Sequence, residues 1–155
     1  MESYSLRYQF SQRFNLPARR SYEWCTDFRP DDPARMGLQG TRKIERINDD
    51  TLILTDTIRG QREQKRRLVR LNPDRLAWTG THLNGSNKFS QFWYQVTAEG
   101  TQGSHLEFAG LRVNYGRPPA PSRVAQMAQA LAAGDSADWA LLAKEMERDL
   151  SRPRK

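Results

Sequence analysis

His82 and Tyr94 are the two side chains in this sequence best suited to proton chemistry. An imidazole ordinarily titrates near neutrality, and a phenol can donate or accept a hydrogen bond at the wall of an apolar site. Both also have a structural reading, as hydrogen-bonded groups in a packed core. Other chemistry-bearing residues are less well placed. Ser104 and His105 are neighbours in a stretch of period two, so they point to opposite faces and give no nucleophile–base pair. Asp31-Asp32 reads as a solvated turn in which Asp32 precedes Pro33 as a helix cap. Two histidines and the lone Cys25 lie far apart in sequence and have no zinc-type ligand spacing, and no cofactor is implied. No glycine-rich phosphate loop precedes a helix. His105 is expected to be exposed.

The elements that must position His82 and Tyr94 are extended ones. Ser5 to Leu16 alternates, with Leu6, Tyr8, Phe10, Phe14 and Leu16 on one side; Gln12 interrupts that side and marks a bulge or reaches into a cavity. Pro17 then opens a short helix over Ala18 to Phe28, carrying Tyr22, Trp24, Cys25 and Phe28, and a second short helix or turn follows over Asp32 to Met36. From Thr41 the period is two again. Strands are predicted near Arg42 to Asn48, Thr51 to Arg59, Gln61 to Leu71, Arg75 to Leu83, Lys88 to Ala98 and Ser104 to Tyr115. Turn residues such as Asn48-Asp49-Asp50, Asn72-Pro73-Asp74 and Asn84-Gly85-Ser86 separate them. These links are too short for parallel crossovers, so the strands form antiparallel hairpins, and the first strand can pair with the last.

The chain closes on a long helix, roughly Pro121 to Leu150. Val124, Ala128, Leu131, Trp139, Leu142, Met146 and Leu150 share one stripe that must be buried, and a curved sheet is its natural partner. If the helix is continuous, Asp135 falls on that stripe and needs a partner. Gly134-Asp135-Ser136 instead predicts a break, with a second segment starting near Ala137 and the front half free to act as a gate.

Strand parity nominates the inward set. Trp78, Gly80 and His82 share a face, Phe92, Tyr94 and Val96 another, and Leu106 and Phe108 a third. Beyond Ala109 two readings stand. A bulge at Ala109-Gly110 turns Leu111, Val113 and Tyr115 inward; without it Arg112 and Asn114 face the cavity. The expected ligand-binding lining is Trp78, His82, Phe92, Tyr94, Phe108, Leu131, Trp139 and Leu142, an aromatic-rich set with a few polar groups.

Totals bound the partners. The formal net charge is +7, which raises nucleic acid or an anionic membrane surface as partners, with Lys65-Arg66-Arg67 and the Arg152 to Lys155 tail as contacts. The basic residues are scattered along the chain, however, which fits solvated strand faces better, so nucleic acid is not the expected partner and a membrane contact would be transient. A single cysteine excludes an internal disulfide, and neither a secretory leader nor a membrane-spanning run is read, so a cytoplasmic location is expected. The oligomeric state is left open.

This order of elements resembles the helix-grip fold of the START-like (SRPBCC) superfamily, which includes birch-pollen-type allergens, START lipid-transfer domains and polyketide cyclases. The marks are Leu16-Pro17-Ala18 closing the first strand, Tyr22-Glu23-Trp24 and Asp27 in the aromatic helix, Leu76-Ala77-Trp78, Phe92-Trp93-Tyr94-Gln95-Val96, Leu106-Glu107-Phe108 and the closing amphipathic helix. The resemblance implies an α+β architecture over 1–155: one START-like ligand-binding domain with a seven-stranded curved antiparallel sheet around a long C-terminal helix, and two short helices near the cavity entrance. It also implies a binder or carrier of a hydrophobic small molecule, such as a lipid or polyketide-like compound. The alternatives are a cyclase or aromatase using His82 and Tyr94, or a basic interaction surface.

Overall fold

A computed structural model describes residues 2–151. The order is β1 (Ser3–Phe14), α1 (Ala18–Thr26), α2 (Asp32–Arg35), β2 (Gly40–Asn48), β3 (Thr51–Ile58), β4 (Lys65–Asn72), a 3-10 turn (Pro73–Arg75), β5 (Ala77–His82), β6 (Gln91–Glu99), β7 (Gly103–Tyr115) and α3 (Pro121–Ser151). All strand pairings are antiparallel, in the order β1-β7-β6-β5-β4-β3-β2. The sheet is open, with β1 and β2 at its edges. This is the helix-grip architecture, with α3 packed chiefly against β1 and α1 against β6 and β7.

The inner face of the sheet changes character along its length, and cross-strand register makes the change coherent. At one end Phe14, Leu52, Val69, Trp78, Val96 and Leu106 are buried and pack with Tyr22 of α1 and with Ala143 and Met146 of α3. Removing each large side chain from water contributes about 1.5–3 kcal/mol, so this end holds the fold together. Following the same face toward the other end, β3 runs from Leu52 and Leu54 to Asp56, β4 from Val69 back to Arg67 and Lys65, β5 from Trp78 to His82, and β7 from Phe108 to Arg112. Antiparallel pairing brings these polar ends together: Asp56 lies opposite Arg42 and Lys65, and Arg67 opposite His82.

Several sequence expectations are corrected. α3 is unbroken through Gly134 and Asp135, because Asp135 does not cap a new segment; it accepts a hydrogen bond from the Tyr8 hydroxyl at 2.6 Å. β7 pairs with β1 and β6 without a register shift, so no bulge occurs at Ala109-Gly110 and the reading with Arg112 facing inward holds. Gly110 is needed there for a different reason: a Cβ would come within 2.8 Å of the Tyr8 ring. β1 is likewise regular through Gln12, whose side-chain amide donates to the Arg13 carbonyl, and it ends at Phe14. β4 starts at Lys65 rather than Gln61, and β6 at Gln91 rather than Lys88. A left-handed Phe89 (φ 72°) keeps the preceding loop out of the ladder. His105 is half-covered, its two ring nitrogens 2.8 Å from Glu99 and 3.0 Å from Glu107. The basic tail Arg152 to Lys155 lies outside the described residues. Among those residues, no helix is long and apolar enough to cross a membrane.

Candidate functional site

Between the polar half of the sheet, the two short helices and α3 lies a cavity of about 420 Å³. β5 and β6 supply its aromatic wall. Trp78 and Tyr94 are cross-strand partners and their rings stack at 4.7 Å, nearly parallel. Tyr94 meets Phe108 edge-on at 5.1 Å and Trp139 of α3 at 5.8 Å, while Phe92 lies 5.1 Å from His82. Gly80, between Trp78 and His82, leaves this wall open: a Cβ there would meet nothing within 4 Å. Trp24 and Phe28 from the α1 end, with Pro33 and Met36 from the α2 segment, line the other side.

Of the residues expected to line a site, Trp78, His82, Phe92, Tyr94, Phe108, Trp139 and Leu142 all border the cavity. Leu131 does not. It lies a turn before Asp135 on the N-terminal half of α3, outside the walls. Trp78 and Phe108 are also buried core residues, so they both hold the fold and border the space.

His82 and Tyr94 stand apart along the cavity wall. Tyr94 is opposite Trp78, and His82 is four residues further along β5, about 13 Å at the strand rise. Their titration is also pushed apart. Burial, with Arg67, Lys65 and Arg112 adding to it, drives His82 down to about 4. Burial pushes Tyr94 up to about 12. Both side chains are therefore neutral near pH 7, suited to hydrogen bonding rather than to carrying a charge.

Of the charged groups of the cavity, sequence reasoning raised Asp135 and Arg112 as possible inward residues and missed Arg42, Asp56, Lys65 and Arg67. Arg42 is buried and grips Asp56 with two hydrogen bonds of 2.7 and 3.0 Å, while its third contact reaches Asp32 at 2.9 Å. Arg67 adds a 3.3 Å contact to the same Asp56. Asp32 is thus a ligand for Arg42 and for the Arg29 backbone N–H rather than a helix cap. On the α3 side, burial and neighbouring Asp138 raise the Asp135 carboxyl above its ordinary range; the Tyr8 hydrogen bond and Arg112 partly oppose that. The Tyr8 phenol is driven upward by burial and then by Asp135. Strand parity carried the signal for most of these: Asp56, Lys65, Arg67 and Arg112 each continue an inward-facing apolar row. The run Lys65-Arg66-Arg67 is accordingly no uniform basic patch, since Lys65 and Arg67 border the cavity and Arg66 does not.

Among the described residues, no group of three or more His, Cys, Asp or Glu is arranged to hold a metal ion. No protein-family model matches the chain, and no curated protein matches it in sequence. Solved structures do match in shape. An aromatase/cyclase named Zhui from Streptomyces sp. R1128 superposes with a TM-score of 0.73 at 12% identity, covering 95% of this chain and 96% of its own. Norcoclaurine synthase from Thalictrum flavum, in complex with dopamine and hydroxybenzaldehyde, gives 0.67 at 11% identity over 99% and 91%. A START superfamily protein from Mycobacterium smegmatis gives 0.65 at 16% identity over 92% and 98%. The START-like resemblance read from the sequence therefore holds as a shared helix-grip fold.

Proposed function

We propose that the chain is one ligand-binding domain that takes a hydrophobic small molecule into the cavity between sheet and α3. The observation that carries this reading is the concavity of about 420 Å³ walled by Trp78, Tyr94, Phe92 and Phe108. Its volume falls within the usual range for small-molecule sites, and the lining has the usual form, aromatic with a few placed polar groups. An interior packed like an ordinary core leaves no void of this size. The fold's neighbours support the reading by analogy, since one of them is held with two aromatic compounds. His82 and Tyr94, being neutral, supply hydrogen bonds to the ligand under this reading.

Gly80→Leu is the direct test. A Cβ at Gly80 meets only open space, so a leucine there fills the cavity without a clash at its first atom. Titration with 2-naphthylmethanol is followed through tryptophan fluorescence, to which Trp24, Trp78 and Trp139 at the cavity report. Wild-type protein is expected to bind the probe. The variant is expected to keep its melting temperature within a few degrees and to bind at least about tenfold more weakly. Absence of binding by the wild type, or undiminished binding by the variant, overturns the reading.

A further inference from the structure

The charges around the cavity do not cancel locally. Arg42 and Arg67 are balanced by Asp32 and Asp56, which they contact directly. Lys65 and Arg112 are left over. Among the described residues neither has a carboxylate within ion-pair distance, and Arg112 donates only to the neutral Asn87 side-chain oxygen at 2.9 Å. Geometry gathers the surplus in one place. Arg67 sits opposite His82, Lys65 lies two residues further along the same face of β4, and Arg112 continues the inward row of Phe108 and Gly110 on β7. All three cations border the cavity, and all three act on His82. Of the other acidic groups that border the same space, Asp27 pairs with Arg29 and Glu145 with Arg148, while Asp135, on which Arg112 also acts, and Asp138 come from α3.

We propose that the ligand is an amphipathic carboxylate, its anionic group seated between Lys65, Arg67 and Arg112 beside His82 and its apolar body along the aromatic wall. A planar guanidinium matches a carboxylate in shape, and a charge-assisted contact in a half-enclosed site is about twice as strong as a neutral one. Asp135 and Asp138 repel the anion from the α3 side, which fixes the orientation. This inference rests on the ligand-binding reading above, and the test separates the two.

Affinities of 2-naphthoate and 2-naphthylmethanol, which share one ring system, are compared on the full chain at pH 7 by calorimetry. The carboxylate is expected to bind about tenfold tighter than the alcohol, an advantage that shrinks as salt is raised. Lys65→Gln and Arg112→Gln are each expected to reduce that ratio about threefold or more. Lys43→Gln, which removes the same charge from an exposed position paired with Glu45, is expected to leave it intact. Equal affinity for the two probes, or a ratio that Lys43→Gln lowers as much as the cavity variants do, overturns the carboxylate assignment while the apolar site stands. If neither probe binds, the underlying reading fails with it.

Discussion

Tyr8 and Asp135 are 127 positions apart, and their 2.6 Å hydrogen bond is where the sheet and the long helix meet through polar atoms. Because the carboxyl is raised, the folded chain holds its proton more tightly than the unfolded chain does. Stability from this group is therefore fully present below the ordinary carboxylate range and falls as pH rises through the raised value. Asp135→Asn keeps an acceptor for Tyr8 and removes the charge, so it is expected to be neutral or stabilising by up to about 1 kcal/mol. Tyr8→Phe strips the carboxylate of its donor and is expected to cost about 1–2 kcal/mol. Urea midpoints at pH 7 read both; a destabilised Asn variant would contradict the argument. His82 acts with the opposite sign. Its folded value of about 4 lies below the ordinary 6.5, so the unfolded chain binds the extra proton between those limits. Stability rises with pH through that window and is lost on acidification from 6.5 toward 4. Solvent screening reduces the full shift, leaving an expected loss of about 1–2 kcal/mol between pH 7 and 4.5. His82→Gln should flatten that slope, and an unchanged slope would assign it to other groups.

At the scale of elements, the sequence was most legible where one face is buried. Six of the seven strands follow from period two within a few residues, and α3 from its stripe, because side chains such as Leu52, Leu54, Leu106 and Met146 have no solvent-exposed alternative. Legibility failed where a local signal competed with a distant partner. Gly134-Asp135-Ser136 carries the chemistry of a break, yet the helix continues because the Tyr8 hydroxyl satisfies Asp135 from the far end of the chain. Asp32 before Pro33 reads as a cap, yet Arg42 claims it. Lys65 and Arg67 read as surface charge, and Arg112 faces inward in only one of two readings, because a strand's inward row can turn polar only where a cavity replaces the core, and no window of sequence shows the cavity. An unbroken helix has a consequence at Gly134. The residue is exposed, within regular helix, with nothing within 4 Å of a Cβ. Gly134→Ala should therefore stabilise by about 0.5–1 kcal/mol, through helix propensity and a less flexible unfolded chain. A loss of stability on thermal or urea unfolding would show that this turn needs glycine after all.

For the whole molecule, the polarity of the sheet's inner face makes the grip on α3 uneven. Its C-terminal half sits over the apolar end, with Ala143 and Met146 buried. The Trp24 indole donates to Asp149 at 3.0 Å, Asn15 to Glu147 at 2.9 Å, and Arg35 pairs with Asp149. The N-terminal half, 121–134, has no fully buried residue and, among the described residues, no side-chain hydrogen bond to the sheet; the first tie is Asp135. Local opening free energy follows buried apolar contact and shielded hydrogen bonding, so opening should be graded along one continuous helix without any hinge. Amide hydrogen exchange is expected to be at least about tenfold faster over 124–134 than over 139–150. Tyr8→Phe should move the boundary toward the C-terminus, since it removes the tie at Asp135. Saturation with 2-naphthylmethanol should slow exchange around Asp135 and Trp139, which border the cavity, more than at Met146, which is already buried. Uniform protection from 124 to 150 in the free protein would mean that the sheet grips both halves of α3 equally, and access to the cavity would then have to come past α1 and α2 instead.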